Sequence, residues 1–557
     1  MRRHRDDRPV EIGNLALDAP TAHAQPREAE SAQRAVVAPR HAGAGQRQWW
    51  RLRPSWPGSR CALRVHRATI IERMSADREV PLYVDLDGSV LRSDTLWESF
   101  ASALRRHPLR TVAALAALAS GRAALKRRMA QLGAPDVDTL PLHEGFVAWL
   151  REQRAAGRRI VLATAADRAL AEAVAARLGL FDQVLASDGR RNLKGRHKLA
   201  AIREDAGGAV FDYCGNGPED VAIFAAARRA VVVGASPRVV RAARSQADVA
   251  VEFERRPARA QRLRWLLVAL RPHQWLKNLL VLVPLLTSFR IEEPMLGRDA
   301  FLAFVSFSLA ASSGYLLNDL LDLGADRRHP RKSDRAFAAG RLSVPSGFAG
   351  SAALLLASLA IAWAVGERFA ATVLLYLAMT GTYSALLKRI ALLDVAMLAG
   401  LYTVRVIGGG TATGIPVSVW LLAFSVFLFF SLALLKRCGE LVAQREREED
   451  TGKGRGYEVS DLPVLQSLGI ATSCAALVVL ALYVQDPDVA RRYASPQVLW
   501  LMLFGLLVWL GRLWLDTARG RMHDDPLVYT LRDRGSRWTV GVLLVLFGVA
   551  AAVDLPG

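Results

Sequence analysis

Residues 318–335 read NDLLDLGADRRHPRKSDR, carboxylates spaced three and four apart and then five basic residues and a histidine. On a helix, Asn318, Asp319, Asp322 and Asp326 share one face. There they can hold divalent cations that neutralise a diphosphate leaving group. A solvated helix end accounts for the carboxylates alone equally well. The adjoining cluster of Arg327, Arg328, His329, Arg331, Lys332 and Arg335 supplies a phosphate-binding complement and shifts the balance to diphosphate. Acids at the end of an apolar segment are costly without such a task.

A second constellation lies upstream. VDLDGSVL sets Asp85 and Asp87 on the same side of a strand-to-loop exit. Alone this is weak, because turns favour Asp and Gly. It gains weight from three further motifs in order along the chain: Thr164 ending IVLAT, Lys198 opening a helix in NLKGRHKLAAI, and Asn216 and Asp220 in GNGPED. Lys194 is the second choice for a phosphate lysine. Among lone cations, Arg405 lies inside an apolar segment shortly before a glycine run and should face the bundle interior, towards a phosphate or carboxylate. Arg271 and Lys277 divide evenly between snorkelling and ligand binding. Trp275 reads as an interfacial anchor.

These residues need elements to position them. From about residue 263 the chain is a series of long apolar segments, most near the ~20 residues a helix needs to cross a bilayer. Nine are expected, at 268–288, 299–318, 346–366, 369–388, 390–409, 417–436, 463–484, 497–516 and 537–554. The basic loops come after the even-numbered segments. The N-terminus and the acidic motif are therefore expected in the cytoplasm, with the C-terminal DLPG outside, in a multi-pass cell-membrane protein. Residues 79–255 read as soluble α/β. Strand-like runs PLYVDL, RRIVLAT, QVLAS, AVFDYC and AVVVGA alternate with alanine-rich helical stretches, the pattern of a parallel Rossmann-like sheet. The stretch from Ser93 to Arg158 is too long for a crossover and is expected to be a helical cap over the strand ends. Residues 1–78 read as a disordered basic tail, and Met74 looks like the natural start.

The net charge of +21 invites a nucleic-acid reading. The basic tail and the loops facing anionic lipid account for it instead, so no nucleic-acid partner is expected. The four cysteines have neither metal-ligand nor paired spacing.

The soluble motifs resemble those of the haloacid dehalogenase (HAD) superfamily. The resemblance implies that Asp85 attacks a phosphoryl group and that Asp87 protonates the leaving alkoxide and then activates water. Thr164 and Lys198 would hold the phosphoryl oxygens, with Mg²⁺ on Asp85, the Asp87 carbonyl, Asn216 and Asp220. Asn216 departs from the Asp usual in the family, which removes a negative charge and puts the hydrolase activity in question.

Residues 263–557 resemble the UbiA prenyltransferase superfamily through NDxxDxxxD (Asn318, Asp319, Asp322, Asp326) and through YSALLKRIALLD, with Tyr383, Lys388 and Asp394. The segments RPHQWLKN (with Arg271, Lys277 and Asn278), HPRK (with His329 and Lys332), AAGRLS and LDVAMLAGLYTVRVIGGG are most similar to the decaprenyl-phosphate phosphoribosyltransferase branch. That branch joins a polyprenyl phosphate to phosphoribosyl pyrophosphate (PRPP) in arabinan precursor synthesis. The resemblance implies Mg²⁺ on Asp319, Asp322 and Asp326. Where other members carry a second aspartate cluster, this chain has Asp394 with Lys388 nearby, suited to an acceptor phosphate. Arg335 is succeeded by Ala336 where the family often has proline, which loosens the loop. Two other functions stay open: an aromatic prenyltransferase using prenyl diphosphate beside a regulatory or inert HAD domain, and a transporter or scaffold. A phosphorylation-driven pump would need a DKTGT-type loop, and none is present.

Overall fold

The computed structural model describes residues 79–254, 257–446, 456–487, 491–522 and 525–553. The basic tail, Met74 and DLPG lie outside the described residues. Six parallel strands form one sheet in the order β3-β2-β1-β4-β5-β6. They are β1 (Leu82–Val84), β2 (Ile160–Asp167), β3 (Gln183–Ser187), β4 (Asp212–Gly215), β5 (Arg229–Val233) and β6 (Asp248–Phe253). The first five are the expected apolar runs. The sixth, DVAVEF, is a half-exposed edge strand with no continuous apolar run to mark it. β1 is central and wholly buried, as a strand covered on both faces must be. Its carboxyl end lies beside those of β2 and β4, so the loops that carry the motifs converge.

Between β1 and β2 stands the expected cap: α1 (Thr95–Arg106), α2 (Pro108–Ala114), α3 (Arg122–Gly133) and α4 (Glu144–Ala155). Asp94 caps α1 by accepting from the backbone N–H groups of Leu96 and Trp97. After β3 the chain enters α5 (Arg196–Asp205), which presents Lys198.

The second half is all α. Seven described helices are long and apolar enough to cross a membrane. They are α7 (Pro294–Leu321), α9 (Val344–Val365), α11 (Leu393–Thr413), α12 (Val419–Arg445), α13 (Leu462–Gln485), α14 (Val498–Ala518) and α15 (Arg534–Ala552). Two of the nine expected spans are corrected. The first is broken: α6 (Arg259–Leu270) ends at Arg271, whose φ of 54° is left-handed, and Pro272 opens a 3-10 segment that runs to Leu282. The fourth forms α10 (Glu367–Ala385), but Glu367 and Arg368 at its start and the polar Thr380, Thr382, Tyr383 and Ser384 at its end leave it short of the apolar content of a span. A short helix α8 (Leu323–Arg328) comes directly after α7.

Small residues allow close packing. Ser306 and Ser313 of α7 donate to the Ser358 and Ser351 carbonyls of α9 at 2.9 and 2.8 Å, and the bonds are returned. On α11, a Cβ at Gly409 would stand 1.9 Å from the Val281 carbonyl oxygen, so only glycine lets the 3-10 segment lie against this helix.

Candidate active sites

The hydrolase motifs meet at the sheet. Lys198 reaches from α5 to Asp85 Oδ1 at 2.8 Å and Asp220 Oδ1 at 3.4 Å, and is itself buried. Lys194 instead pairs with Glu219 at 2.9 Å, which leaves Lys198 as the lysine of the site. Thr164 is fully buried; its strand runs on to Asp167, beyond the expected end, with a register shift after Ala163. Its hydroxyl accepts from the Ala166 N–H at 3.0 Å. Asp87 accepts from the Thr95 N–H at 2.8 Å and from the Thr95 hydroxyl at 3.1 Å, which ties it to the first turn of α1.

Burial, with the Asp94 and Asp85 charges, pushes the Asp87 carboxyl up to about 8, so it carries a proton at neutral pH. Burial also lifts Asp85, to about 6, against the opposing pull of Lys198, so the nucleophile stays ionised near neutrality. One acid and one carboxylate two residues apart are what phosphoryl transfer through an aspartyl ester requires.

Asp220 has both oxygens engaged. Tyr213 OH donates to Oδ1 at 2.7 Å, and the Asn216 and Gly217 N–H groups donate to Oδ2 at 3.1 and 2.9 Å. These bonds let it fix Lys198 and the GNGPED loop, and its expected role as a Mg²⁺ ligand would draw on the remaining lone pairs. A cation would meet Asp85, the Asp87 carbonyl and the Asn216 amide oxygen, with Asp220 behind them, a set that fits Mg²⁺ in donor type but is one negative charge poorer than it would be with Asp at position 216. No group of three or more His, Cys, Asp or Glu is arranged around a metal position among the described residues. We predict that Asn216→Asp raises phosphomonoester hydrolysis at fixed Mg²⁺ by roughly tenfold or more. A Mg²⁺ titration of both proteins checks it, and an unchanged titration curve would count against a charge-poor site.

At the end of α7 the acidic motif is only partly gathered. Arg335 Nη1 lies between Asp319 Oδ1 at 3.0 Å and Asp326 Oδ2 at 2.7 Å, and Arg271 adds a 2.5 Å bond to Asp319. The Arg335 guanidinium occupies a cation position between two carboxylates, so these residues fit a divalent ion by charge and donor type. Asp322 departs from the expected shared face. The helix breaks there, at φ −96° and ψ 10°, and the side chain turns to Arg105 of the cap at 3.2 Å. Asn318 is half-buried beside it, whereas His329 and Lys332 are exposed in the next loop.

The other expected residues lie deeper. Arg405 faces the interior, as expected, but its N–H groups go to Asn278 Oδ1 at 2.8 Å, Tyr376 OH at 3.2 Å and the Leu401 carbonyl. Its protein partners are thus neutral oxygens and the Tyr376 ring, 4.8 Å away, and no carboxylate of the chain bonds it among these. Asn278 also donates to Ser308 at 3.1 Å, and Trp275, expected at the interface, donates to Ser312 inside the bundle at 2.9 Å. Lys277 neither snorkels nor stays free: it pairs with Asp525 at 2.7 Å.

Asp394 is fully buried and bound by Arg437 at 2.6 Å and by Tyr457 OH, with Tyr383 OH 3.5 Å from the same arginine. Lys388 stands apart, half-buried in the 3-10 turn Leu387–Arg389. Replacing Asp394 with Asn takes the buried carboxylate from Arg437 and Tyr457, while Glu440 remains on the other side of the guanidinium. We expect this to destabilise the bundle by about 1–3 kcal/mol, read as a lower melting temperature in detergent, and an unshifted melt would refute it.

Several site residues had no sequence signal beyond being charged. Lys126 of α3 donates to the Ala165 carbonyl at 2.6 Å above the hydrolase site, and burial lowers its pKa against the pull of Asp87 and Asp94. Arg437 and Lys436 interrupt an apolar helix, and that interruption is the one sign of them in the sequence. The cap is also docked on the membrane domain. Glu98 of α1 takes two bonds from Arg327, at 3.0 and 2.6 Å, both side chains being buried. Phe100 meets Phe348 of α9 at 5.2 Å, and Ala101 joins the apolar cluster of Leu316, Leu320 and Phe337.

Comparison with known proteins agrees with this geometry. Residues 82–225 match the haloacid dehalogenase-like hydrolase family and residues 281–531 the UbiA prenyltransferase family. An uncharacterized protein of Sinorhizobium fredii, y4nM, is 37% identical over 469 residues, covering 84% of this chain and 90% of its own. The nodulation protein NoeC of Azorhizobium caulinodans is 38% identical over 268 residues, 48% of this chain and 87% of its own. The decaprenyl-phosphate phosphoribosyltransferase of Mycobacterium tuberculosis is 40% identical over 179 residues, 31% of this chain and 59% of its own, so the match spans less than two thirds of that relative. A multi-pass membrane transferase with a hydrolase domain at its front accounts for both halves of the fold, and the chain belongs to the UbiA prenyltransferase family.

Proposed function

We propose that the membrane half transfers phosphoribose from PRPP to a polyprenyl phosphate, and that the hydrolase domain then removes the 5-phosphate of the product in arabinan precursor synthesis. The observation that carries this reading is the acidic pair Asp319 and Asp326 bracketed by Arg271 and Arg335, in a chain whose second motif has a single aspartate already bound to Arg437. Carboxylates with arginines suit a diphosphate. The absence of a second aspartate cluster from that motif suits an anionic acceptor better than a second cation.

In the transfer step the bond between ribose C1 and the diphosphate oxygen breaks, and a lipid phosphate oxygen forms the new bond to an oxocarbenium-like C1. Mg²⁺ held by Asp319 and Asp326, with Asp322 released from Arg105, would neutralise the leaving diphosphate. Arg271 and Arg335, which stand beside those carboxylates, would take the phosphate oxygens. In the hydrolase domain Asp85 attacks phosphorus as the bond to the 5-oxygen breaks, and Asp87 gives that oxygen its proton; Asp87 then takes a proton from a water whose oxygen attacks phosphorus, which breaks the aspartyl ester, frees Asp85 and releases inorganic phosphate, while Lys198 and Thr164 hold the phosphoryl oxygens. Both sites would face the cytoplasm, where PRPP resides.

Membranes containing the protein, given labelled PRPP and polyprenyl phosphate, should form labelled lipid that EDTA prevents. Incorporation of labelled prenyl diphosphate into an aromatic acid, with none from PRPP, would overturn the reading in favour of an aromatic prenyltransferase.

A further inference from the structure

One face of the cap serves neither site. α2 and the 3-10 turn Leu115–Ser120 that continues it form one apolar helical run, Pro108–Ser120. Its outer side carries Leu109, Val112, Leu115 and Leu118, which are 85%, 61%, 43% and 55% exposed. Only Thr111 and Ala114 of the run are buried against the rest of the cap. Four large apolar side chains on one short surface mark a contact, because a soluble domain rarely leaves such a row in water.

Charge and position name the partner. No acidic residue occurs between Glu98 and Asp136, while Arg105, Arg106, Arg110, Arg122, Arg127 and Arg128 all fall in that interval. A cavity of about 450 Å³ opens beside the apolar row, with Arg110, Arg127 and Arg128 in its wall. The run also begins three residues after Arg105, whose guanidinium reaches the Leu321 carbonyl at 3.5 Å and Asp322 at 3.2 Å, at the end of membrane helix α7. An apolar stripe flanked by arginines and starting where a spanning helix ends has the composition of an interfacial segment.

We propose that Pro108–Ser120 lies in the headgroup–acyl boundary of an anionic bilayer and anchors the hydrolase cap to the membrane beside α7. The apolar row dips below the headgroups, and Arg110, Arg127 and Arg128 receive lipid phosphates. If the domain is the hydrolase proposed for it, the substrate is an amphiphilic phosphomonoester whose tail stays in the bilayer while its phosphate reaches Asp85; the anchor itself stands without that reading.

The test uses the full chain with Cys61→Ala and Cys474→Ala, so that a polarity-sensitive fluorophore attaches at Val112→Cys or, as a control, at Val210→Cys. Val210 is also 61% exposed but lies just before β4, at the end of the sheet opposite the cap. In phosphatidylglycerol vesicles containing spin-labelled lipid, the label at position 112 should be quenched severalfold more than the label at 210, and more than in phosphatidylcholine. Equal quenching at the two positions, or a label at 112 shielded from water yet untouched by the lipid quencher, would overturn the proposal, the latter indicating a protein partner instead. In a second arm, Leu109→Glu with Val112→Glu should lower hydrolysis of a lipid-linked phosphomonoester at least tenfold and leave p-nitrophenyl phosphate turnover unchanged. An equal loss on both substrates overturns the lipid-substrate half. Failure of the unsubstituted chain to hydrolyse either one refutes the hydrolase reading alone, and the quenching result still decides the anchor.

Discussion

Asp319→Asn is expected to lower phosphoribosyl transfer by roughly 10³-fold or more, about 4 kcal/mol of transition-state stabilisation. The change keeps the shape of the side chain and removes the charge that Arg271 and Arg335 converge on. Those guanidiniums would then lose the carboxylate that orients them, and a cation would lose a buried anchor. Asp322→Ala should abolish transfer too, because its pairing with Arg105 is half-exposed and such pairs hold by at most ~1 kcal/mol. That interaction is too weak to keep Asp322 from a cation. Arg105→Ala therefore provides the contrast, with transfer expected within about threefold of the unsubstituted protein. Labelled lipid formed from PRPP in membranes of matched protein content measures all three. If Asp319→Asn retains more than a tenth of the activity, the acidic pair is a structural helix end and the proposed chemistry falls.

The contrast between Asp319 and Asp322 also marks where spacing stops being informative. Spacing of three and four predicts one helix face, and Asp319 and Asp326 do converge, on Arg335. The break at Asp322, where α7 gives way to α8, then sends that side chain towards the cap. Nothing local announces the partner, since Arg105 lies on a different domain. Glu98 and Arg327, 229 positions apart, were equally hidden. By contrast the hydrolase site was legible because its chemistry sits at the carboxyl ends of adjacent strands. Apolar runs mark the strands, and the sheet sets β2, β1 and β4 side by side, so the strand ends that carry Thr164, Asp85 and Asp220 meet although they are far apart in the chain, with Lys198 reaching Asp85 and Asp220. The broken first span is intermediate. Pro272 gave a warning, but nothing in the sequence announced the left-handed backbone at Arg271, which ends α6 with its guanidinium on Asp319. The buried Asp394–Arg437 pair shows the same limit, because an arginine in an apolar helix signals a partner without saying which one.

Asp85→Asn should stop removal of the phosphate, by roughly 10⁴-fold or more, because an amide cannot form the aspartyl ester and no other carboxylate takes its place on Lys198 with the same reach. Transfer should continue unchanged, since Asp85 is held at the sheet by Lys198 while Asp319 is held at the end of α7 by Arg271 and Arg335. The labelled product from PRPP should then accumulate as the phosphorylated ribosyl lipid, whereas the unsubstituted protein converts it to the dephosphorylated form; thin-layer separation of the two lipids reads the difference. Lys198 remains buried beside the amide, paired with Asp220, so the fold should survive the exchange and a melting curve can verify that it does. If the unsubstituted protein also yields only the phosphorylated lipid, Asn216 has left the site too poor in charge to hold its cation. In that case Asn216→Asp, rather than Asp85→Asn, is the variant that should change the product.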